Sequence, residues 1–220
     1  MNISAYKGIL IKIFFFVLFS TSLLLGVSLN DYPYFTDQEL ETLAKENYIT
    51  KNRLLDYQKT MQKLKTKNRD YQLQKVNFYL NQLLPQYDDV IQKKENSWAT
   101  PKEFLTIGYG DCEDYVIIKY YSLIKLGFDE KKLFITVVKE KFYGGIHMVL
   151  TYFKTSQTPP LVLDNLSFKI LPLDKRSDLH AKLLINSQGV FKISPTYKLI
   201  PVTNSYKEFQ ILQEKVKNNI

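Results

Sequence analysis

The stretch that most constrains this chain runs from Gly108 to Gly127, Gly-Tyr-Gly-Asp-Cys-Glu-Asp-Tyr-Val-Ile-Ile-Lys-Tyr-Tyr-Ser-Leu-Ile-Lys-Leu-Gly. It holds the only cysteine of the 220 residues, Cys112. Two glycines precede that cysteine and three carboxylates surround it: Asp111, Glu113 and Asp114. Apolar residues then recur at helical spacing. Tyr115, Ile118, Ser122 and Leu126 form one row, and Val116, Lys119 and Leu123 another. Gly127 stands where a helix C-cap would. The pattern predicts a glycine loop that delivers a cysteine to the first turn of a buried helix. Backbone N–H groups aligned there favour a thiolate over a thiol. The bland alternative is a lone cysteine acting as a small buried hydrophobe.

The amino terminus speaks to compartment. Lys7 and Lys12 form a basic start, Ile13 to Val27 is an apolar run, and Gly26-Val27-Ser28 offers small residues for cleavage. This is the layout of a secretory signal covering residues 1–28, with a single domain at 29–220. An uncleaved anchor is the other reading, but the run falls short of the ~20 residues that a span needs. Export implies a periplasmic location. There, one cysteine cannot form an internal disulfide, and a free thiol is a liability unless it is used. The formal charge is +8, or +6 once Lys7 and Lys12 are removed. The lysines are scattered and often adjoin acids, which describes a solvated surface rather than a nucleic-acid site.

The chain reads as helices first and strands after. Thr36-Asp37-Gln38-Glu39 has the capping-box pattern, and Leu40, Leu43 and Ala44 follow it. Residues 51–65 place Leu54, Tyr57, Met61 and Leu64 on one face. Residues 71–84 do the same with Leu73, Val76, Leu80, Leu83 and Leu84, and Pro85 ends the run. Residues 85–97 are polar and irregular. Thr100-Pro101-Lys102-Glu103 repeats the capping box with a proline at the first helical position. After the cysteine helix, residues 132–139, 146–154 and 161–164 read as strands, with further strands at 189–194 and 196–202. A short helix is expected near 205–215. Short connections imply antiparallel pairing. The fold class is therefore α+β, a helical layer and a nucleophile helix packed on an antiparallel sheet.

Two histidines are available as a base. His147 opens the second strand after a glycine turn, and His180 lies in the polar segment 176–182. Only His147 is on an element expected to pack against the cysteine helix. Asp164 ends the third strand, and if the second and third strands pair it reaches the His147 ring. Asn165 is an alternative partner. Cys112, His147 and Asp164 lie 35 and 17 residues apart, too far for a local metal motif. This order suits thiol acyl transfer: the cysteine attacks an amide carbonyl, the histidine moves the proton, and water resolves the thioester. The Cys112 backbone N–H is the natural oxyanion donor, with Trp98 Nε1 as a candidate for the second. The acids beside Cys112 would raise its pKa. Either Asp111 and Glu113 bind a hard cation, or Asp111 caps the helix while Glu113 and Asp114 favour its dipole.

Taken together, Trp98-Ala99-Thr100-Pro101-Lys102-Glu103, Gly108-Tyr109-Gly110-Asp111-Cys112-Glu113-Asp114-Tyr115, His147-Met148-Val149-Leu150 and Leu161-Val162-Leu163-Asp164-Asn165 resemble the bacterial transglutaminase-like cysteine proteinases. Within that family the likeness is to the periplasmic LapG-type adhesin proteases. Val76-Asn77 and Asn81 also look familial. The resemblance covers roughly residues 70–195 and implies a papain/transglutaminase-like fold with a Cys112–His147–Asp164 triad. It implies calcium as cofactor, with Asp111 and Glu113 as metal ligands. It also implies a large surface adhesin as substrate, cut near its N-terminus at a paired-alanine site. The implied partner is an inner-membrane cyclic-di-GMP receptor that sequesters the enzyme, so that biofilm release follows when the grip is lost. Gly144-Gly145-Ile146, before His147, departs from the family pattern at the edge of the substrate cleft. Two rivals use the same residues: another thiol acyl-transfer enzyme, such as a transglutaminase or a peptidoglycan peptidase, and a non-catalytic calcium-dependent binding module.

Overall fold

The structure is a computed structural model that describes residues 32–85, 98–142, 144–156 and 158–218. The signal segment 1–28 and most of the irregular stretch 85–97 lie outside the described residues. Six α-helices occur among the described residues: α1 (Asp37–Glu46), α2 (Tyr48–Leu64), α3 (Arg69–Leu80), α4 (Pro101–Ile107), α5 (Cys112–Lys125) and α6 (Lys207–Lys217). Both expected capping boxes form, Thr36 with Glu39 and Thr100 with Glu103. No described helix is long and apolar enough to cross a membrane.

Two helices begin earlier than their apolar stripes suggest, because asparagines cap them. Asn47 accepts from the N–H groups of Ile49 and Thr50, and Asn68 from that of Tyr71. Helix α3 stops at Leu80, short of the expected Leu84. Leu84–Pro85 (β1) instead pairs in parallel with Tyr109–Gly110 (β2), just ahead of the cysteine.

The main sheet contains β3 (Leu133–Glu140), β4 (Ile146–Tyr152), β5 (Leu161–Asp164), β6 (Ser167–Pro172), β7 (Leu179–Asn186), β8 (Gly189–Ile193) and β9 (Leu199–Thr203). Their order is β6-β5-β4-β3-β7-β8-β9, and every neighbouring pair is antiparallel. Sequence patterning missed β6 and the first half of β7. Ser167, Phe168 and Lys169 in β6, and His180 and Lys182 in β7, look outward and dilute the apolar signal. The last strand starts at Leu199 rather than residue 196, because the chain turns at Tyr197, whose φ is +62°.

Helix α5 is the centre of the molecule. Every residue from Asp114 to Ile124 is buried. It packs on β3 and β4 on one side and on α3 and α4 on the other. A helix apolar all round has to be enclosed in this way. Its one buried hydroxyl on that surface, Ser122, is satisfied at 2.9 Å by the Tyr57 hydroxyl of α2.

Candidate active site

The loop before Cys112 explains its two glycines. Gly108 ends α4 in the left-handed region with φ +90°, and a Cβ there would sit 2.1 Å from the Arg53 guanidinium. Arg53 is fixed in place by donating to the carbonyls of Leu105 and Thr106. At Gly110 a Cβ would meet Asp114 Oδ2 at 2.5 Å and the Phe104 ring at 2.9 Å. Larger residues would push the loop off the helix start. Asp114 is buried and accepts the N–H of Ala99 at 3.0 Å, tying the Trp98 segment to α5.

Cys112 is the first residue of α5, partly exposed. The backbone N–H of Met148, next to His147 on β4, donates to its sulfur. The nucleophile helix and the histidine strand therefore meet at this sulfur. Across the β4–β5 pair, where Leu150 faces Leu163, the chain brings Asp164 to His147. His147 Nε2 stands 2.9 Å from Asp164 Oδ1. With Nε2 so engaged, Nδ1 is the ring nitrogen left for proton exchange with the thiol. Asp164, not Asn165, is the partner. His180 lies on the exposed face of β7, paired with Lys139 and away from the site.

Asp164 is held by more than the histidine. Its Oδ1 also accepts the Leu166 N–H at 3.0 Å, and its Oδ2 accepts from Arg176 Nη2 at 2.8 Å. Its backbone carbonyl accepts from Asn81 of α3 at 2.7 Å. Burial alone would raise this carboxyl. The bonds and charge of His147, the Leu166 N–H and Arg176 outweigh burial and hold it well below the usual carboxylate range. A buried carboxylate of this kind fixes the histidine tautomer and stabilises an imidazolium.

The thiol end is different. Burial pushes the Cys112 thiol well up, and the Glu113 and Asp111 carboxylates push it further. Glu113 Oε2 accepts from the thiol at 3.3 Å. The helix start does not by itself yield a resting thiolate, so the expected dipole effect is outweighed here. Asp111 occupies the N-cap position of α5, yet its side chain makes no capping hydrogen bond. The capping alternative for Asp111 therefore fails. Two hard carboxylates left at one helix start suit a hard cation such as calcium. Among the described residues, no group of three His, Cys, Asp or Glu side chains gathers as a metal site. Trp98 is buried and stacks on Tyr206, with centroids 5.7 Å apart. That is a packing role.

Arg176 and the Met148 N–H were not singled out from the sequence. Arg176 sits 12 residues after Asp164 in a polar run, and only the unrecognised β6 strand folds it back.

A family model described as bacterial transglutaminase-like cysteine proteinase BTLCP matches residues 48–183, more than half of the chain. The chain belongs to that family. The match takes in Cys112, His147, Asp164 and Arg176. Solved structures agree with this membership. Calcium-bound LapG of Legionella pneumophila is 30% identical, with a TM-score of 0.69 over 80% of this chain and 98% of that one. EGTA-treated LapG is 30% identical, with a TM-score of 0.71 over 84% and 99%. A further LapG structure is 29% identical, with a TM-score of 0.70 over 85% and 99%. No curated protein matches the chain in sequence. This BTLCP member therefore has the transglutaminase-like fold and is a LapG-like cysteine protease.

Proposed function

We propose that this proteinase is a calcium-dependent periplasmic endopeptidase. It cuts the N-terminal region of a large surface adhesin at a paired-alanine site and so releases the adhesin to disperse a biofilm. A cyclic-di-GMP receptor of the inner membrane would hold it inactive. The observation that carries the chemistry is the His147–Asp164 contact, set on a strand whose next N–H reaches the Cys112 sulfur. The likeness to LapG, in calcium-bound and EGTA-treated forms, supports the calcium and adhesin parts.

The steps follow from the geometry. Cys112 rests as a thiol. As the sulfur attacks the scissile carbonyl, its proton passes to His147 Nδ1, and Asp164 stabilises the imidazolium through Nε2. The Cys112 N–H faces the developing oxyanion. His147 returns the proton to the departing amine, leaving a thioester. Water gives a proton to His147 as its oxygen attacks, and collapse releases the acid and restores the thiol. Asp111 and Glu113 would hold the calcium ion, with carbonyl oxygens completing its shell. The bound ion would supply positive charge that offsets their repulsion of a thiolate.

The test is cleavage of an N-terminal adhesin fragment from the same organism, with calcium or with chelator, beside Cys112→Ala. Cleavage that requires both Cys112 and calcium is expected. Cleavage that ignores the chelator would return Asp111 and Glu113 to a purely structural role.

A further inference from the structure

Lys119 has no part in the chemistry above, yet it lies at the heart of the molecule. It follows Cys112 by seven residues, two turns down the same face of α5. It is 0% exposed, and its Nζ has no hydrogen-bond partner among the described residues. Its nearest aromatic neighbour is Tyr115, one turn back, with the ring centroid 5.9 Å away. The charge that acts on it is Asp164. Around the same Asp164 turn, α3 contributes Asn81, bonded to the Asp164 and Ser167 carbonyls, and Asn77, bonded to those of Ser167 and Phe168. Both are uncharged. From β4 the titratable group is His147, already the partner of Asp164, and β3 turns apolar Leu133 and Ile135 to this core. A solitary lysine in such a place is costly, because burying a charge without a hydrogen bond destabilises the fold. Burial pushes its pKa down to about 7, against the pull of Asp164.

We propose that Lys119 is a positioning residue for the Cys112–His147–Asp164 group, a buried cation under the nucleophile helix that supports the Asp164 carboxylate opposite Arg176. This rests on the triad reading. At the moment of attack two anions, Asp164 and the thiolate, share the site with one imidazolium. Arg176 supplies a balancing charge from the rim and Lys119 supplies one from the core. A charge in this position is retained at the expense of stability.

Lys119→Met keeps the shape and removes the charge. With a folded pKa near 7 and an unfolded value of 10.5, the wild-type lysine destabilises the fold at every pH below about 10, most of all at and below 7. The variant should therefore melt higher, by about 3 °C or more at pH 6–7, with the gain shrinking towards pH 10. At pH 7 with calcium, its Cys112 should react with iodoacetamide about fivefold to tenfold more slowly, the scale of one lost charge interaction. Lys119→Gln should slow alkylation similarly. His147→Ala is the control for the triad itself. If His147→Ala slows alkylation while Lys119→Met and Lys119→Gln leave it unchanged, the Lys119 inference is overturned and the triad stands. If His147→Ala also reacts at the wild-type rate, the triad reading fails. A Lys119→Met protein that melts lower at all pH values would make Lys119 a structural filler and overturn the proposal.

Discussion

The two ends of the active site treat their carboxylates in opposite ways. Asp164 is surrounded by donors: a histidine, an arginine and a backbone N–H share its two oxygens, and it stays ionised deep in the fold. Glu113 faces the thiol of Cys112, and its charge works against forming the nucleophile. One acid is part of a finished network. The other belongs to a network that a cation would complete. The contrast separates the permanent half of the machinery, which orients the base, from the half that ion binding can switch. It also explains how a cysteine at a helix start can be poorly armed: burial and two neighbouring acids outweigh the helix dipole.

The largest effect should come from the nucleophile. Cys112→Ser should lower kcat/KM by a thousandfold or more while leaving the melting temperature within about 2 °C, because the hydroxyl is far less acidic than the thiol. Asp164→Asn comes next. It keeps the shape but loses the charge that stabilises the imidazolium, so kcat should fall by roughly a thousandfold with KM little changed in steady-state assays. Arg176→Met would sharpen the contrast, since it removes one of three supports. Asp164 keeps His147 and Leu166, so a loss of about 2–3 kcal/mol by urea unfolding and about tenfold in kcat is expected. At the other end, adding calcium should raise the rate of Cys112 alkylation at pH 7 by about tenfold, and chelation should reverse it, as expected for cancelling nearby negative charge. An unchanged rate would mean that the two ends do not differ in the way described.

The smallest effect concerns stability against pH. Asp164 is held below its unfolded value of 3.8, so its contribution is complete above that pH and is lost as pH falls through the folded value. Melting curves between pH 5 and 2 should steepen for the wild type and flatten for Asp164→Asn.

Much of this arrangement was legible in the sequence, for identifiable reasons. The capping boxes at Thr36 and Thr100 are local signals, and both form. The run from Gly108 to Gly127 carries its own start, stripe and stop. The β4–β5 pairing that unites His147 and Asp164 follows from short apolar strands with a short connection. The missing pieces were non-local or masked by surface chemistry. Arg176 reaches Asp164 only because β6 forms, and β6 has too little apolar alternation to be read as a strand. The Met148 N–H is a backbone group that carries no sequence signal. Lys119 looked like one residue in a helical row, and only the packing of α5 on every side shows that it is buried.

The most direct test of the central claim needs no substrate. The rate of iodoacetamide reaction at Cys112 would be measured at pH 7 with calcium, by mass spectrometry, for the wild type and His147→Ala. A functioning thiol–imidazole pair predicts rapid modification of Cys112 that slows by about a hundredfold in the variant, the scale of general-base assistance. Equal rates in the two proteins would contradict it, and would leave Cys112 a buried thiol beside an unconnected histidine.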